Sequence, residues 1–469
     1  GLYNKAFVKK WCVGFEQLHE RVNEYPLQWV AEITGVEQKL IADAARMYAK
    51  ADGAVIPWTP ITDQQVSSTS AIRLHSILRA ITGNLDVVGG EILGGFNPGY
   101  IPESELGLHE QLSDSQKAKQ LGYDDHPAFT YRAAEKLKEA TERVWGFPYA
   151  DLVMGCQMAN PTNVFRAMSS GDPYPVKAFI TLGNNTLLSY ANQHQILQGL
   201  MNQELIVAHE IFMTPTAMLA DYVLPGDVFT ERNHIADGWS WGNRLTLSQK
   251  AVEPPPQASS TFQFWTDLAH RMGFAEYFPW NSIEDILDHR LSRSGRSFAD
   301  FAAATFMESP PPKFRKYRSR GFATPSGKVE LYSSVLEDMG FDPLPYYREG
   351  STPNAEYPYA VFTGVREDPF FQTGQRNIEV LRARCPTPKL FLHPTDAQRE
   401  ALQEDDWVIL ESATGKVTAQ VAIQSSMKEG HIRVPHGWWY PESRGQQSLA
   451  GAFISSDAVL CSDEDAHLD

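Results

Sequence analysis

Residues 176–233 decide the fold of this chain, and they read VKAFITLGNNTLLSYANQHQILQGLMNQELIVAHEIFMTPTAMLADYVLPGDVFTERN. An apolar run over 178–182 ends in a Gly-Asn-Asn turn, and an amphipathic stretch follows it. Two further apolar runs occupy 205–208 and 222–225. Short apolar runs that alternate with a helix predict a βαβ unit in a parallel sheet.

Polar residues follow the first two apolar runs: Asn184 and Asn185 after the first, His209 and Glu210 after the second. Ligands of parallel sheets bind beyond the carboxyl ends of the strands, where these residues are expected to meet. The pattern therefore predicts a nucleotide-like site. The alternatives are two ordinary polar loops and, for His209, a strand-end histidine whose hydrogen bonds are satisfied inside the protein.

Composition limits the class of protein. A chain of 469 residues is long enough for about three domains. The net charge of −16 opposes nucleic acid or an acidic membrane surface as the main partner. No apolar run reaches the length of about 18 residues that a membrane-spanning helix needs. The four cysteines (Cys12, Cys156, Cys385 and Cys461) form no CxxC pair, and we interpret each as a small buried side chain.

Periodicity divides the remainder of the chain. Helical spacing predicts helices within residues 1–50 and at 70–81, 135–143 and 265–272, and an apolar run predicts a buried strand at 55–58. From Tyr359 onward the period changes to two, with a hairpin about the turn at 414–416. This predicts an antiparallel-rich barrel of about 110 residues.

The motifs, taken in order, resemble the molybdenum and tungsten bis(pyranopterin guanine dinucleotide) oxidoreductases, the dimethyl sulfoxide reductase family. Residues 213–217 (MTPTA) and 220–225 (ADYVLP) match the family segment M-T-x-T-A-x-x-A-D-x-V-L-P. Residues 250–256 (KAVEPPP) and 436–439 (HGWW) match later family motifs. The resemblance implies an α/β fold, with Rossmann-like parallel-sheet domains followed by a C-terminal double-psi β-barrel.

The same resemblance implies a division of the chain into five parts. They are the second part of a pterin-side α/β domain (1–110), an irregular and helical connection (111–175), a Rossmann-like guanine-dinucleotide-binding domain (176–308), a linker (309–350) and the pterin-capping barrel (351–469). The basic run between residues 313 and 320 is interpreted as a solvated part of the linker.

Cofactor contacts are implied at the positions that match the family's motifs. These are Gln64, Asn185, His209, Glu210, Arg232, Thr261, Thr363, Gly364, Arg366, Gln372, Thr373 and Asp457. Three of them depart from the family pattern: Ser260-Thr261 replaces a guanine-reading Asp, Gln372 replaces a His, and Asp457 replaces an Asn. An ionised carboxylate only accepts hydrogen bonds, so Asp457 has lost the donor of an amide. For Gln64 the alternative is a helix-capping or solvated side chain.

The resemblance implies a molybdenum or tungsten centre held by two pyranopterin guanine dinucleotides. The implied reaction is a two-electron transfer of an oxygen atom, a sulfur atom or a hydride at a small-molecule substrate. The family's amino-terminal region, with its [4Fe–4S] cluster and metal-ligating residue, has no counterpart here. We therefore expect the carboxy-terminal two-thirds of a larger enzyme, with no metal ligand and no identifiable catalytic residue in this part. An iron–sulfur electron-transfer subunit is a possible partner.

Two other functions stay open. Residues 369–377 (PFFQTGQRN) and 436–439 resemble the subgroup of tungsten hydratases and hydroxyl transferases typified by acetylene hydratase, in which the metal acts as a Lewis acid on water. A structural subunit that keeps the fold without a cofactor is the third possibility. The retention of so many loop residues weighs against it.

Overall fold

The computed structural model describes residues 1–94, 99–148, 158–236, 244–304, 306–308, 311, 313–350, 352–443 and 448–463. The helices are α1 Lys5–Trp11, α2 Phe15–Val22, α3 Leu27–Thr34, α4 Gln38–Lys50, α5 Ser68–Thr82, α6 Asp114–Lys117, α7 Tyr131–Trp145, α8 Pro161–Ser170, α9 Thr186–Ser189, α10 Gln193–Met201, α11 Thr261–Arg271, α12 Ile283–Leu291, α13 Phe298–Ala304, α14 Tyr317–Arg320, α15 Ser334–Asp338, α16 Glu379–Arg382, α17 Pro394–Arg399 and α18 Ala452–Ser455.

The strands are β1 Cys12–Val13, β2 Ala178–Leu182, β3 Leu205–Glu210, β4 Tyr222–Pro225, β5 His234–Ala236, β6 Arg244–Ser248, β7 Phe306–Glu308, β8 Val329–Glu330, β9 Ala360–Val365, β10 Lys389–Leu392, β11 Trp407–Glu411, β12 Lys416–Ile423 and β13 His431–Pro435. Within the described ranges, none of the helices is long and apolar enough to cross a bilayer.

The central sheet is the predicted parallel unit. β2, β3 and β4 lie in that order and all pair in parallel, with Leu182 opposite His209 and Glu210 opposite Pro225. α10 crosses over between β2 and β3 and buries Ile196 and Leu200 completely. Each such side chain contributes about 1.5 to 3 kcal/mol through burial. The carboxyl ends of the three strands therefore lie side by side, as the βαβ pattern predicts.

The first core joins the beginning of the chain to the segment that the sequence analysis assigns to a linker. Phe7, Leu18 and Ile77 are buried together with Tyr317 and Leu331. β1 pairs in parallel with β8, which brings Cys12 opposite Val329. The residues from 313 to 350 are therefore packed into a core rather than extended between two domains. The other domain boundaries stay predictions.

The strand predicted at residues 55–58 is not formed. The backbone there is irregular, and Val55 and Trp58 are exposed. Just before this segment, Ala54 N donates a hydrogen bond to the side-chain Oδ1 of Asn84 at 3.0 Å. A strand needs a neighbour that exchanges backbone hydrogen bonds with it, and among the described residues no strand pairs with this segment. The apolar run identifies a β-prone segment but not its partner.

The carboxy-terminal sheet has five strands in the order β11-β12-β10-β13-β9. β11 and β12 form the predicted antiparallel hairpin, whereas β10 with β12 and β9 with β13 are parallel pairs. Two of the four pairings are thus parallel, and the sheet is less antiparallel than expected. Alternation with period two shows which face of a strand is buried, but it carries no information on strand direction. The α/β class is confirmed, with parallel sheets followed by a C-terminal mixed sheet.

Cysteine placement follows the expectation where it is described. Cys12 and Cys385 are buried as free thiols, and Cys461 is partly buried. Burial raises the pKa of the Cys12 thiol to about 12, which keeps it protonated and unreactive at neutral pH. Cys156 lies outside the described residues.

Candidate functional site

The end of β2 is organised by a buried side-chain network around Asn185. Its Oδ1 accepts hydrogen bonds from Thr216 N at 3.2 Å and from Thr216 Oγ1 at 2.8 Å. The same hydroxyl accepts from Leu187 N at 2.9 Å. Thr216 belongs to the MTPTA segment, so these hydrogen bonds join the turn after β2 to the loop after β3. The Nδ2 donor of Asn185 is left buried with no partner in the described part of the chain.

His209, at the end of β3, is buried and makes its contacts inside the protein. Nε2 lies 2.8 Å from the carbonyl oxygen of Ser259 and 3.3 Å from its Oγ. The ring is 5.8 Å from that of Phe264, and a Cβ at Gly226 would come within 3.0 Å of its Cε1. Because a carbonyl only accepts, Nε2 carries a proton. This arrangement favours the strand-end alternative for His209, which fastens the segment before α11 to the sheet.

Glu210 follows His209 and is half-buried at the carboxyl end of β3, the central strand of the sheet. Its Oε1 accepts from Ile211 N at 2.8 Å, and Gly226 N donates to its backbone oxygen at 3.2 Å. Burial raises the pKa of this carboxyl, and the backbone N–H groups of Ile211 and Phe212 oppose that shift. Glu210 is thus a strand-end acceptor with partial access to a ligand.

The end of β4 carries a buried carboxylate that the sequence analysis does not single out. Asp227 is 4% exposed and pairs with Arg232 at 2.5 Å between Oδ1 and Nη1. Asp227 N donates to Ser259 O at 3.3 Å, next to the contact that His209 makes. Arg232, predicted as a cofactor contact, therefore lies at the strand ends but in an ion pair. A guanidinium has five donors, so the pair leaves capacity for an anion or a ring carbonyl.

Thr261 is the first residue of α11, beside the same strand ends. The preceding Ser260 caps the helix, and its Oγ accepts from Gln263 N at 3.1 Å. Of the two residues that replace the family's Asp, Ser260 already uses its hydroxyl to cap the helix. Thr261 is therefore the one of the pair that we consider for a contact with a ligand.

A second cluster lies at the loops of the C-terminal sheet, around Asp457. This carboxylate is buried and accepts three hydrogen bonds: from Gly364 N at 3.0 Å, from Gly437 N at 2.7 Å and from His436 Nδ1 at 3.1 Å. Thr363 Oγ1 is 3.6 Å from Cys461 Sγ. The structure thus brings Thr363, Gly364 and Asp457 together, with His436 and Gly437 beside them.

Arg376 supports the same loop from the carbonyl side. Its Nε donates to Gly437 O at 3.1 Å and its Nη2 to His436 O at 2.6 Å. The guanidinium lies 4.6 Å from the ring centroids of both Phe370 and Trp438, and burial lowers its pKa to about 10. Even so, the group stays charged at neutral pH, and this buried cation joins the segment around residue 372 to the segment around 437.

The other predicted barrel contacts fall in or beside this unit. Thr373 is buried, and its carbonyl accepts from Trp439 Nε1 at 2.9 Å. Gln372 is partly buried with φ of +53°, a conformation that turns the chain sharply. Arg366 is exposed, with its guanidinium 4.4 Å from the ring centroid of Phe371. All three therefore lie on loops at one end of the sheet.

The two clusters border a shared core. Leu187 and Leu188, just after Asn185, pack with Trp439, just after the loop that Asp457 holds. Asn192 N also donates to Cys461 O at 2.9 Å.

Gln64 does not belong to either cluster. It is exposed in a bend after residues 60–63, and no hydrogen bond described for it reaches either cluster.

Comparison with known proteins gives two family models. Residues 117–271 match the model described as molybdopterin oxidoreductase, and residues 361–461 match the molydopterin dinucleotide binding domain. The chain is 45% identical to acetylene hydratase of Syntrophotalea acetylenica, over 100% of this chain and 65% of that protein. The solved structure of acetylene hydratase from Pelobacter acetylenicus superposes with a TM-score of 0.93 at 43% identity, over 99% of this chain and 65% of the other.

The chain belongs to the molybdopterin oxidoreductases of the dimethyl sulfoxide reductase family. A more distant relative is formate dehydrogenase H of Escherichia coli, 26% identical over 93% of this chain and 59% of that protein. The chain thus spans less than two thirds of the length of these relatives.

The polar groups of this molybdopterin oxidoreductase chain fit a dinucleotide. Asn185 Nδ2 is buried without a partner among the described residues, and leaving a donor so costs about 1 to 3 kcal/mol. A phosphate or ring-carbonyl oxygen offsets that cost. A Cβ placed on Gly183 or Gly364 would meet nothing within 4 Å, so both turns leave room for a ligand. In the described ranges no three His, Cys, Asp or Glu residues converge to hold a metal ion.

Sequence reasoning missed three residues of this family site: Thr216, Asp227 and Arg376. Thr216 stands within a quoted motif and Arg376 within a quoted stretch, but neither motif says which side chain its hydroxyl or guanidinium will reach. Asp227 follows directly on the apolar run of β4. The rule that singles out polar residues after β2 and β3 would have found it, had it been applied to the third strand.

Proposed function

We propose that the protein to which this chain belongs is a hydratase of the acetylene hydratase type, which adds water to a small unsaturated substrate without net redox change. Its cofactor would be molybdenum or tungsten held by two pyranopterin guanine dinucleotides. When bound, such a metal supplies a Lewis acid that activates water. From the sequence alone, redox transfer is the main expectation and hydration is the alternative.

One observation carries the proposal. The two stretches that resemble the hydratase subgroup, residues 369–377 and 436–439, are joined in the structure into a single unit. Arg376 of the first stretch donates to two carbonyls of the second, and Trp439 of the second donates to Thr373 of the first. A difference in identity adds support: 45% with acetylene hydratase against 26% with formate dehydrogenase H.

The residues of this chain would bind and orient the dinucleotides rather than perform the reaction. Asn185 Nδ2 would donate to a phosphate or ring oxygen, and the Glu210 carboxylate would accept from the N–H groups of a guanine. Arg232 would contribute donors beyond those held by Asp227. Gln64, Thr261, Thr363, Gly364, Arg366, Gln372 and Thr373 stay proposed contacts of the same kind, and Asp457 receives a different role below.

The rest of the full-length protein would supply what this chain lacks. We propose that it carries a [4Fe–4S] cluster, the metal-ligating residue and the groups that act on the substrate. A separate iron–sulfur electron-transfer subunit is part of the redox alternative, because hydration moves no electrons to a partner.

The experiment uses the full-length protein, produced without oxygen and with both metals supplied. About one molybdenum or tungsten and about two guanine nucleotides per protein are expected, together with conversion of acetylene and water to acetaldehyde. Retention of both the metal and the nucleotides, with turnover of a viologen dye and no hydration of any alkyne tested, would favour redox transfer. Absence of both metal and nucleotide would favour the structural subunit.

A paired substitution tests the dinucleotide site itself. N185D keeps the oxygen that Thr216 needs and replaces only the unpartnered donor, so it should lower the guanine-nucleotide content several-fold without unfolding the protein. The matched control is N354D, because Asn354 Oδ1 likewise accepts two hydrogen bonds, from Glu356 N and Tyr357 N, but lies exposed. Equal nucleotide content in both variants would remove Asn185 from the site.

A further inference from the structure

Asp457 uses its whole carboxylate inside the protein. Oδ2 accepts from Gly364 N at 3.0 Å and from His436 Nδ1 at 3.1 Å, and Oδ1 accepts from Gly437 N at 2.7 Å. The side chain is 3% exposed. A residue that faces three internal donors and almost no solvent has little left to offer a ligand, even though its position in the motif suggests a cofactor contact.

We propose that Asp457 is a positioning residue that acts through His436. Together with Arg376 it would hold the imidazole with Nδ1 protonated and with Nε2 available as a hydrogen-bond acceptor for a bound ligand. The identity of that ligand as a pyranopterin dinucleotide rests on the proposed function, whereas the orientation and tautomer of the ring do not.

The donor set explains why a carboxylate stands here. An amide presents one acceptor oxygen and one N–H₂ group, so an Asn would turn a donor toward Gly364 N, Gly437 N or the protonated Nδ1. A carboxylate accepts from all three at once. The replacement of the family's Asn by Asp thus matches a neighbouring histidine that donates from Nδ1.

The loop is held from its carbonyl side as well. Arg376 donates to the carbonyls of His436 and Gly437, so the peptide that carries the imidazole is bonded through its N–H to one charged group and through its C=O to another. Gly437 has φ of +59°, and a Cβ there would lie 2.3 Å from Thr373 Cγ2. These constraints leave the backbone of residue 436 little freedom.

The second ring nitrogen of His436, Nε2, is the one that can contact a ligand. The His436 side chain is 16% exposed, and within the described ranges no hydrogen bond engages Nε2. With Nδ1 bonded to a carboxylate, the neutral ring keeps its lone pair on Nε2. The same second-sphere arrangement, a carboxylate fixing one nitrogen so that the other can act, orients histidines in many sites.

Two substitutions separate the two nitrogens. In H436N the amide Nδ2 takes the place of Nδ1 and preserves the bond to Asp457 but removes Nε2. In H436Q the longer amide reaches the place of Nε2 and loses the bond to Asp457. H431N is the control, since His431 begins β13, the strand that ends just before His436, and its Nδ1 lies 2.9 Å from Glu429 O.

The primary measurement is the ¹⁵N spectrum of histidine-labelled full-length protein, with the His436 signals assigned by their loss in H436N. A protonated Nδ1 and an unprotonated Nε2 are expected in the wild type. In D457N the new amide can donate to Nδ1, so the proton should move to Nε2. A wild-type ring protonated on Nε2, or a tautomer unchanged in D457N, would overturn the proposal whether or not any cofactor is bound.

Kinetics give the second test in protein that carries the cofactor. H436N and D457N should each lower kcat about tenfold or more, the range seen when an orienting partner is lost, with H431N unchanged. H436N with wild-type kcat would show that the ring is only a donor to Asp457 and would overturn the role of Nε2. Failure of hydration in every variant and the wild type would count against the proposed function, and the tautomer result would stand.

Discussion

Glu367 shows at the residue scale how burial and neighbouring charge compete. It lies beside the loop of Asp457, and Arg433 Nη2 approaches its Oε2 to 3.6 Å. Burial raises its pKa above the ordinary value of 4.5, and the charges of Arg433 and Arg376 only partly offset this. The folded protein therefore holds this proton more tightly than the unfolded chain does.

The pH dependence of stability follows from that sign. Between pH 4.5 and the raised pKa the native state binds more protons, so this group makes the free energy of unfolding fall as pH rises, by at most about 1.4 kcal/mol per pH unit. E367Q cannot ionise, so its stability relative to the wild type should increase across that window and level off above it. Urea unfolding at several pH values measures the difference. A difference that stays constant from pH 4 to 8 would refute the prediction.

At the scale of elements, two glycines on either side of β13 form a natural comparison. Gly430 and Gly437 both have positive φ, at +74° and +59°, but a Cβ at Gly430 meets nothing within 4 Å while one at Gly437 meets Thr373 Cγ2 at 2.3 Å. G430A should cost about 1 kcal/mol from conformation alone. G437A should cost about 2 to 4 kcal/mol, because crowding adds to the strain.

Chemical denaturation of the two variants tests this, and the difference between them isolates the steric term. Equal losses of stability would mean that Thr373 moves aside freely, which would also weaken the argument that the loop of His436 is tightly held.

Elements whose signals are local were predicted well. The strands at 178–182 and 222–225 have the bounds that their apolar runs indicate, and the hairpin of β11 and β12 is confirmed. The segment 55–58 failed because β-propensity does not supply a neighbouring strand. Strand direction in the C-terminal sheet failed for a related reason, since the period of two is the same in both directions.

In the candidate site, too, local features could be predicted and long-range contacts could not. Residues that sit at strand ends, such as Asn185 and Glu210, follow from the topology of a parallel sheet. The partners that give them their roles do not. Thr216 is 31 residues from Asn185, and Asp457 is 93 residues from Gly364. Contacts over such separations depend on packing of the whole chain, which no single motif records.

At the scale of the whole molecule, the segment from 313 to 350 packs against the first part of the chain, and Asp86 is one of the residues that hold it there. Asp86 has a fully buried side chain; it accepts from Lys316 Nζ and from Lys316 N, both at 2.6 Å. Arg315 N also donates to its carbonyl at 2.8 Å. Removing one partner of a fully buried ion pair costs about 3 to 5 kcal/mol. The loss here should be smaller, because the Lys316 side chain is 35% exposed.

Trypsin can measure this fastening, because the segment contains many cleavage sites. They are Lys313, Arg315, Lys316, Arg318, Arg320, Lys328 and Arg348. Cleavage here should be slow in the wild type and faster in D86N, by about tenfold for each 1.4 kcal/mol lost. D43N is the control, because Asp43 makes only exposed ion pairs with Lys39 and Arg46. Rapid cleavage of the wild type at these sites would return the segment to the linker that the sequence analysis describes.

The pairing of β1 with β8 has a consequence for the order in which a growing chain can fold. Arg21 bonds to Asp342, a partner 321 positions later, so the first core cannot close until the residues around 342 have been synthesised. The sheet of β2, β3 and β4 is complete once Pro225 has left the ribosome. Residues 178–225 can thus fold while the helices of residues 5–82 still have their apolar faces uncovered, and during that interval those faces are available for aggregation.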